Sequence, residues 1–256
     1  MLAQILSAAR FSLLTFRRNP AATFFTVVFP LLFLVIFGFI FGNETLDSGA
    51  KVATFQVPGI LTLAIVSATF FNLAMGMVVR RESGQLKRLR ATPLRPIVWI
   101  AGQVLGSFVL VAFMTVVVTL GGRVLFDVAF NVSTLGQFVL FILLGSATFC
   151  ALGLAITAVI PNIDAAPAIT NLVVFPLYFV SDVFLLTDDT GGFIGNVGDF
   201  FPVKPLANLL QPTYFPSEFG TLDIEMRSIV TLAIWCVIGI ALASRFFRWM
   251  PQQDRR

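Results

Sequence analysis

Six apolar stretches of roughly 20 residues follow one another along this chain, separated by short polar segments. They cover Pro20 to Gly42, Phe55 to Val79, Ile97 to Gly122, Thr134 to Ile160, Ala165 to Val180 and Ser228 to Phe247, with Val183 to Leu186 as a continuation of the fifth. Within each run the apolar positions are continuous, which is the pattern of a helix that crosses a bilayer. No run alternates with period two, so a transmembrane barrel is not expected. The predicted fold is an all-α membrane protein with six transmembrane helices.

The segment ahead of the first run has a different rhythm. On a helix, Leu2, Ile5, Leu6, Ala9, Leu13 and Phe16 share an arc of about 100°, while Gln4, Arg10, Thr15, Arg17 and Arg18 lie outside it. Residues 1–19 are therefore expected to form an amphipathic helix in the cytoplasmic interface, ended where Asn19-Pro20 turns the chain into the first span. No small-residue cleavage pattern follows an apolar core, so the segment is not read as a signal peptide. Phe11 and Leu14 sit off the lipid-facing arc, where they could contact a partner or add to membrane anchoring.

A second polar island, residues 80–95, holds six of the seventeen Lys and Arg residues. Leu86 and Leu89 share a helical face, Lys87, Arg88 and Arg90 surround them, and Pro93 and Pro96 stop the helix. An apolar knob in a basic surround beneath the membrane is a docking surface.

Charge then orients the chain. Only 12% of the residues are charged, against roughly 25% in soluble proteins. With both termini cytoplasmic, the inside carries 13 basic residues against Glu82, Asp164 and Asp254, and the outside carries four basic residues against ten acids. Basic residues resist translocation, so this orientation is the expected one. It also accounts for the net charge of +4 without a nucleic-acid partner. The expected division is an interfacial helix at 1–19, a six-span domain at 20–249 and a cytoplasmic tail at 250–256. The six-span domain contains the loop 80–95 and an outer region at 182–227. Cys150 and Cys236 lie in apolar runs and suggest no disulfide framework.

Several activities are disfavoured by what the spans lack. Their cores carry no Asp, Glu, Lys or Arg and the chain has no histidine, whereas ion-coupled transport needs such groups or broken helices at mid-membrane. There is no G-x-x-x-x-G-K-[ST] phosphate loop, no metal-ligand cluster and no Ser-His-Asp set. Energy for any work must come from another polypeptide.

Within the spans, Ala64, Ala68, Asn72 and Gly76 recur every four residues, and Gly38/Gly42 and Gly102/Gly106 form G-x-x-x-G pairs that allow close helix approach. Asn72 and Asn171 can serve either a helix–helix hydrogen bond or a substrate. Phe70, Phe71, Met75 and Met77, with Phe175 and Tyr178, could line an adaptable apolar cavity. Phe25, Phe29, Phe33, Phe37 and Phe41 form a stripe that lipid contact and packing explain. In the outer region, Phe200, Phe201, Leu206, Leu209, Leu210, Tyr214 and Phe215 call for burial, in either a gate or a passively packed loop.

The island reads R-R-E-S-G-Q-L-K-R-L-R-A-T-P-L over residues 80–94. It is similar to the coupling-helix motif of permeases of the ABC type-2 exporter family. Asn171-Leu172, followed by Phe175-Pro176-Leu177-Tyr178-Phe179-Val180-Ser181, resembles that family's N-L…F-P-L-x-F-x-S stretch. Where the family continues Ser-Gly, this chain has Ser181-Asp182. The segment from Phe201 to Tyr214, with Pro202, Pro205 and Pro212, resembles the family's outer re-entrant region. The whole chain resembles these permeases, nearest in pattern to the daunorubicin-resistance-type drug exporters.

The resemblance implies an amphipathic N-terminal connecting helix, a cytoplasmic coupling helix between spans two and three, and a re-entrant segment between spans five and six. It implies a multi-pass protein of the bacterial plasma (inner) membrane, with no catalytic residue, metal or cofactor of its own. Separate ABC ATPase subunits would hold ATP and Mg, and a second permease copy or related permease would complete the pathway. Glu82, Gln85, Leu86, Arg88 and Arg90 become the candidate ATPase contacts, together with Phe11 and Leu14. A substrate cavity lined by the second and fifth spans would use Phe70, Phe71, Asn72, Met75, Asn171, Phe175 and Tyr178. The function implied is ATP-driven export of an amphiphilic small molecule, a drug or lipid-like metabolite, by alternating access. Alternatives are export of a lipid-linked glycan and, from another class, a passive channel or membrane scaffold.

Overall fold

In the computed structural model, which describes residues 1–41, 52–92, 94–181, 193–214 and 222–247, every regular element is helical. In chain order these are α1 (Leu2–Arg17), α2 (20–41), α3 (Val52–Glu82), α4 (Gln85–Arg90) and α5 (Pro96–Phe126). They continue as α6 (Leu135–Ile156), α7 (Ala165–Val180), α8 (Phe193–Phe200), α9 (Val203–Tyr214) and α10 (Leu222–Phe246). Among the described residues, five helices are long and apolar enough to cross a membrane: Phe24–Phe41, Val52–Glu82, Pro96–Phe126, Val132–Ile156 and Met226–Phe246. The run expected as a fifth span is the shorter α7, whose 16 residues extend about 24 Å at 1.5 Å per residue.

The expected second span ends three residues later than its apolar pattern. Arg80, Arg81 and Glu82 form the last turn of α3, because the helix continues until Gly84. Gly84 adopts φ 71°, a left-handed conformation that glycine enters without a Cβ clash, and α4 starts afresh beyond it. The fourth span is shorter than expected: α6 ends at Ile156, and Thr157 to Ile160 leave it as a turn. Gly42, Pro93, the stretch Val183 to Leu186, Phe215 and the tail at 250–256 lie outside the described residues.

The core is built around α3. Its candidate span is 72% buried, against 22% for α2 and 11% for α10. Ala64 and Ala68, from the small-residue stripe, are fully buried, while Asn72 and Gly76 are half-buried. Between them a π-helical turn, Ser67–Phe71, inserts a residue and resets the stripe. Another π-helical turn, Phe24–Val28, lies in α2 and packs against it. The phenylalanine stripe on α2 forms a ladder of neighbouring rings, with centroids 4.7 Å apart for Phe29–Phe33 and 5.4 Å for Phe33–Phe37.

One end of the bundle is closed by α9, which wedges between α3, α6 and α10. Leu206, Leu209, Leu210 and Tyr214 are buried, as the sequence demanded. Phe200 is not: it is 65% exposed, although its ring meets Trp235 and its carbonyl accepts a 2.7 Å hydrogen bond from Trp235 Nε1. The Tyr214 hydroxyl pairs with Thr119 Oγ1 at 2.7 Å, and Thr134 Oγ1 donates to the Thr213 carbonyl at 3.3 Å. The charge of Lys204, itself buried, is met by Asp199 of α8 at 3.4 Å.

Candidate coupling face and apolar cavity

The opposite end of the bundle gathers α1, the end of α3, α4, the start of α5 and the end of α6. α1 packs on α5 through small residues. Ala8 abuts Gly102, Ser12 lies against Gly106, and Gln103 Nε2 donates to the Ala8 carbonyl at 3.3 Å. A Cβ on Gly102 would run into Ala8 and the Ile5 backbone carbonyl, so this glycine sets the depth of the crossing. The buried face of α1 is thus Ala8, Ala9, Ser12 and Phe16, which takes in Ala9 and Phe16 of the apolar arc, while Leu2 and Leu6 of that arc are exposed. Backbones approach closest where side chains are smallest, so the packed face centres on the small residues.

The basic island is anchored by its own first residues. Arg81, 2% exposed, reaches from α3 to the end of α6, donating from Nη1 to the Thr157 carbonyl at 2.8 Å and from Nη2 to the Ile160 carbonyl at 2.7 Å. These carbonyls belong to a helix terminus and the turn after it, where the backbone lacks helical partners, so the guanidinium acts as a cap. Its Nε donates to Glu82 Oε1 at 2.7 Å. Arg80 Cζ lies 5.8 Å from the Phe11 ring centre and 5.6 Å from that of Trp99. These are cation–π distances that tie α1 and α5 to α3.

The candidate contacts therefore divide. Gln85 and Arg88 are exposed on α4, as are Phe11 and Leu14 on α1. Leu86 is buried with Ala8, Leu73, Met77 and Trp99, so it holds α4 against the bundle. Glu82 is half-buried on Arg81. Arg90 closes α4, and its side chain lies outside the described set. Arg80, Arg81 and Trp99 are structural members of this face that the sequence pattern marks only as charge or as the start of a span. The paired arginines at the end of an apolar run are the available signal.

Of the seven residues expected at a substrate cavity, Phe70 and Tyr178 are buried, and Phe71, Asn72, Met75 and Asn171 are half-buried. Phe175 is exposed. α3 and α7 do meet: the Tyr178 hydroxyl lies beside Ser67 of the π-helical turn, and Met75 and Ile169 pack against the same buried cluster of Val78, Ile160 and Ala166. A cavity of about 480 Å³ lies elsewhere. It opens among α6, α7 and α10, and Phe70 alone of the seven lines it. Phe149 and Ile156 of α6, Val173 and Leu177 of α7, and Trp235 and Phe246 of α10 form much of its wall.

A helical bundle of this composition, with a basic helix seated under it, defines an integral membrane transport protein. The chain belongs to the ABC-2 type transporter family, which it matches over residues 3–215. It is 26% identical over 245 residues to the daunorubicin resistance ABC transporter permease protein DrrB1 of Streptomyces coeruleorubidus, covering 93% of this chain and 83% of that protein. It is 22% identical over 185 residues to a Bacillus subtilis (strain 168) protein named as the transport permease YvfS, covering 72% of this chain and 75% of that one. The molecule is a multi-pass membrane permease of the ABC transporter class.

Proposed function

We propose that this permease is the membrane half of an ATP-driven exporter of an amphiphilic small molecule, a drug or lipid-like metabolite. In this reading α7 is a sixth, short span, both termini face the cytoplasm of a bacterial inner membrane, and α8–α9 form an outer re-entrant segment. The domain limits are those expected: 1–19, 20–249 and 250–256. A separate ABC ATPase, holding ATP and Mg, docks under α4. Gln85 and Arg88 reach it, with Arg90, Phe11 and Leu14 beside them, while Glu82 and Leu86 keep the docking helix seated. Two permeases pair, and Phe70, Phe71, Asn72, Met75, Asn171, Phe175 and Tyr178 border the substrate path between α3 and α7. Uncharged walls suit an amphiphile, because burying it there desolvates no ion.

The observation that carries this reading is the seating of α4: a basic helix held by Leu86 beside the Arg81 and Arg80 ties, with Gln85 and Arg88 turned outward. Such a part transmits force between bodies whose two states differ in contacts. Arg88→Glu should abolish most permease-stimulated ATP hydrolysis and co-purification of the ATPase, while the permease still inserts and elutes as before. Unchanged stimulation and export in that variant and in Gln85→Lys would remove the docking assignment.

A further inference from the structure

The cavity among α6, α7 and α10 shares only Phe70 with the proposed transport path, and the rest of its wall is left unused by that path. Every lining side chain is hydrocarbon except Trp235, and its Nε1–H is already given to the Phe200 carbonyl. Anything that enters must bury hydrocarbon alone, since a polar group would find no partner there. Phe201, Pro202 and Trp235 line one end, midway along α10, and Phe246 stands at the other, at the α4 end of the bundle. From Trp235 to Phe246 the helix rises about 17 Å, close to half of the roughly 30 Å hydrocarbon core. The lining therefore spans about one leaflet's depth, from the middle of α10 to the α4 end. Beside Phe246, at that end, Arg245 is exposed, its guanidinium 5.8 Å from the Phe246 ring centre.

We propose that this groove is a binding site for one anionic phospholipid of the leaflet on the α4 side, an acyl chain lying between α6, α7 and α10 and the phosphate on Arg245. The hydrocarbon wall accepts the chain, the depth matches one leaflet, and the cation at the α4 end complements the headgroup. The bound lipid would brace α7, which makes few contacts in the bundle beyond α3, α8 and α9.

The test is native mass measurement of the purified permease after delipidation and titration with phosphatidylglycerol. It requires neither ATP hydrolysis nor a transported substrate, so it stands or falls separately from the export reading. The intact chain should retain one phosphatidylglycerol per permease. Ala155→Phe and Leu242→Trp, which fill the groove, should each lower retention about tenfold. Arg245→Gln should lower it about fivefold. Leu143→Phe, on the exposed face of α6, should leave it unchanged. A readout without a filled groove guards against misfolding. Phosphatidylglycerol brominated near its methyl end should quench Trp235, seen as quenching in the intact chain that Trp235→Phe lacks. Equal retention in both filled variants, or no Trp235 quenching, overturns the proposal. So does loss of permease pairing in step with the lost lipid, which would make the groove a subunit contact, or a non-lipid molecule of defined mass in the lipid's place.

Discussion

The two ends of the bundle are held together by different chemistry. At the α4 end the ties are charged and long-reaching: Arg81 on the carbonyls of Thr157 and Ile160, and Arg80 over Phe11 and Trp99. At the α9 end they are mostly neutral and short: Tyr214 with Thr119, Thr134 with the Thr213 carbonyl, and the aliphatic packing of Leu206, Leu209 and Leu210. A guanidinium can desolvate at the α4 end because water and carbonyls are close by, and five donors on a planar fork can fasten several helices at once. Where hydrocarbon surrounds the structure, a neutral hydroxyl costs less to bury and hydrogen bonds are worth correspondingly little. The α4 end is wired by charge; the other is closed by shape.

Removing the Arg81 tie should break this contrast most sharply. Arg81→Met leaves two buried carbonyls without their donor and should destabilise the detergent-solubilised permease by about 3 kcal/mol. Arg81→Lys should recover only part of that, because an ammonium cannot fork across Thr157 and Ile160. Equal thermal midpoints for Met, Lys and the parent would show that the α4 end does not depend on this cap.

A smaller effect is expected from the glycines. Gly102→Ala drives a methyl group into Ala8 and the Ile5 backbone, which cannot swing aside, and should cost about 2 kcal/mol. Gly145→Ala, toward the α9 end, meets only the Leu206 side-chain tip, whose δ carbons can turn, and should cost about 1 kcal/mol. Denaturation midpoints of the two variants in one detergent provide the comparison, and a reversed order would contradict it. The mildest change is Tyr214→Phe, which loses the Thr119 hydrogen bond and should cost about 0.6 kcal/mol, the usual size for a bond between membrane helices. A loss as large as that of Arg81→Met would mean that the α9 end also relies on a single polar tie.

What was legible beforehand follows from how hydropathy works. The long apolar runs, the helical α1, the basic α4 and the burial of Leu206, Leu209 and Leu210 could all be read because each contrasts apolar with polar positions. The docking residues were legible only as a segment. Leu86 and Arg88 carry the same label in an amphipathic pattern, yet one is buried under the bundle and the other exposed. The cavity among α6, α7 and α10 was not legible for a related reason. Aromatic and Met residues on α3 and α7 can be read off as a candidate lining, but a cavity is a gap between helices, and which helices diverge is not written in any one of them.

The sequence by itself determined which segments are apolar enough to leave water, which end of the molecule carries the basic charge, and that no Asp, Glu, Lys, Arg or His sits in a span core. Only the tertiary structure decided which apolar faces meet protein and which meet lipid. The most apolar of the five long helices, Phe24–Phe41, is 22% buried, while the least apolar, Val52–Glu82, is 72% buried. Between two apolar surroundings, transfer free energy does not choose a side. The choice falls to close fit: glycines that admit a backbone, π-helical turns that shift a face, and an arginine that finds the open end of a neighbouring helix.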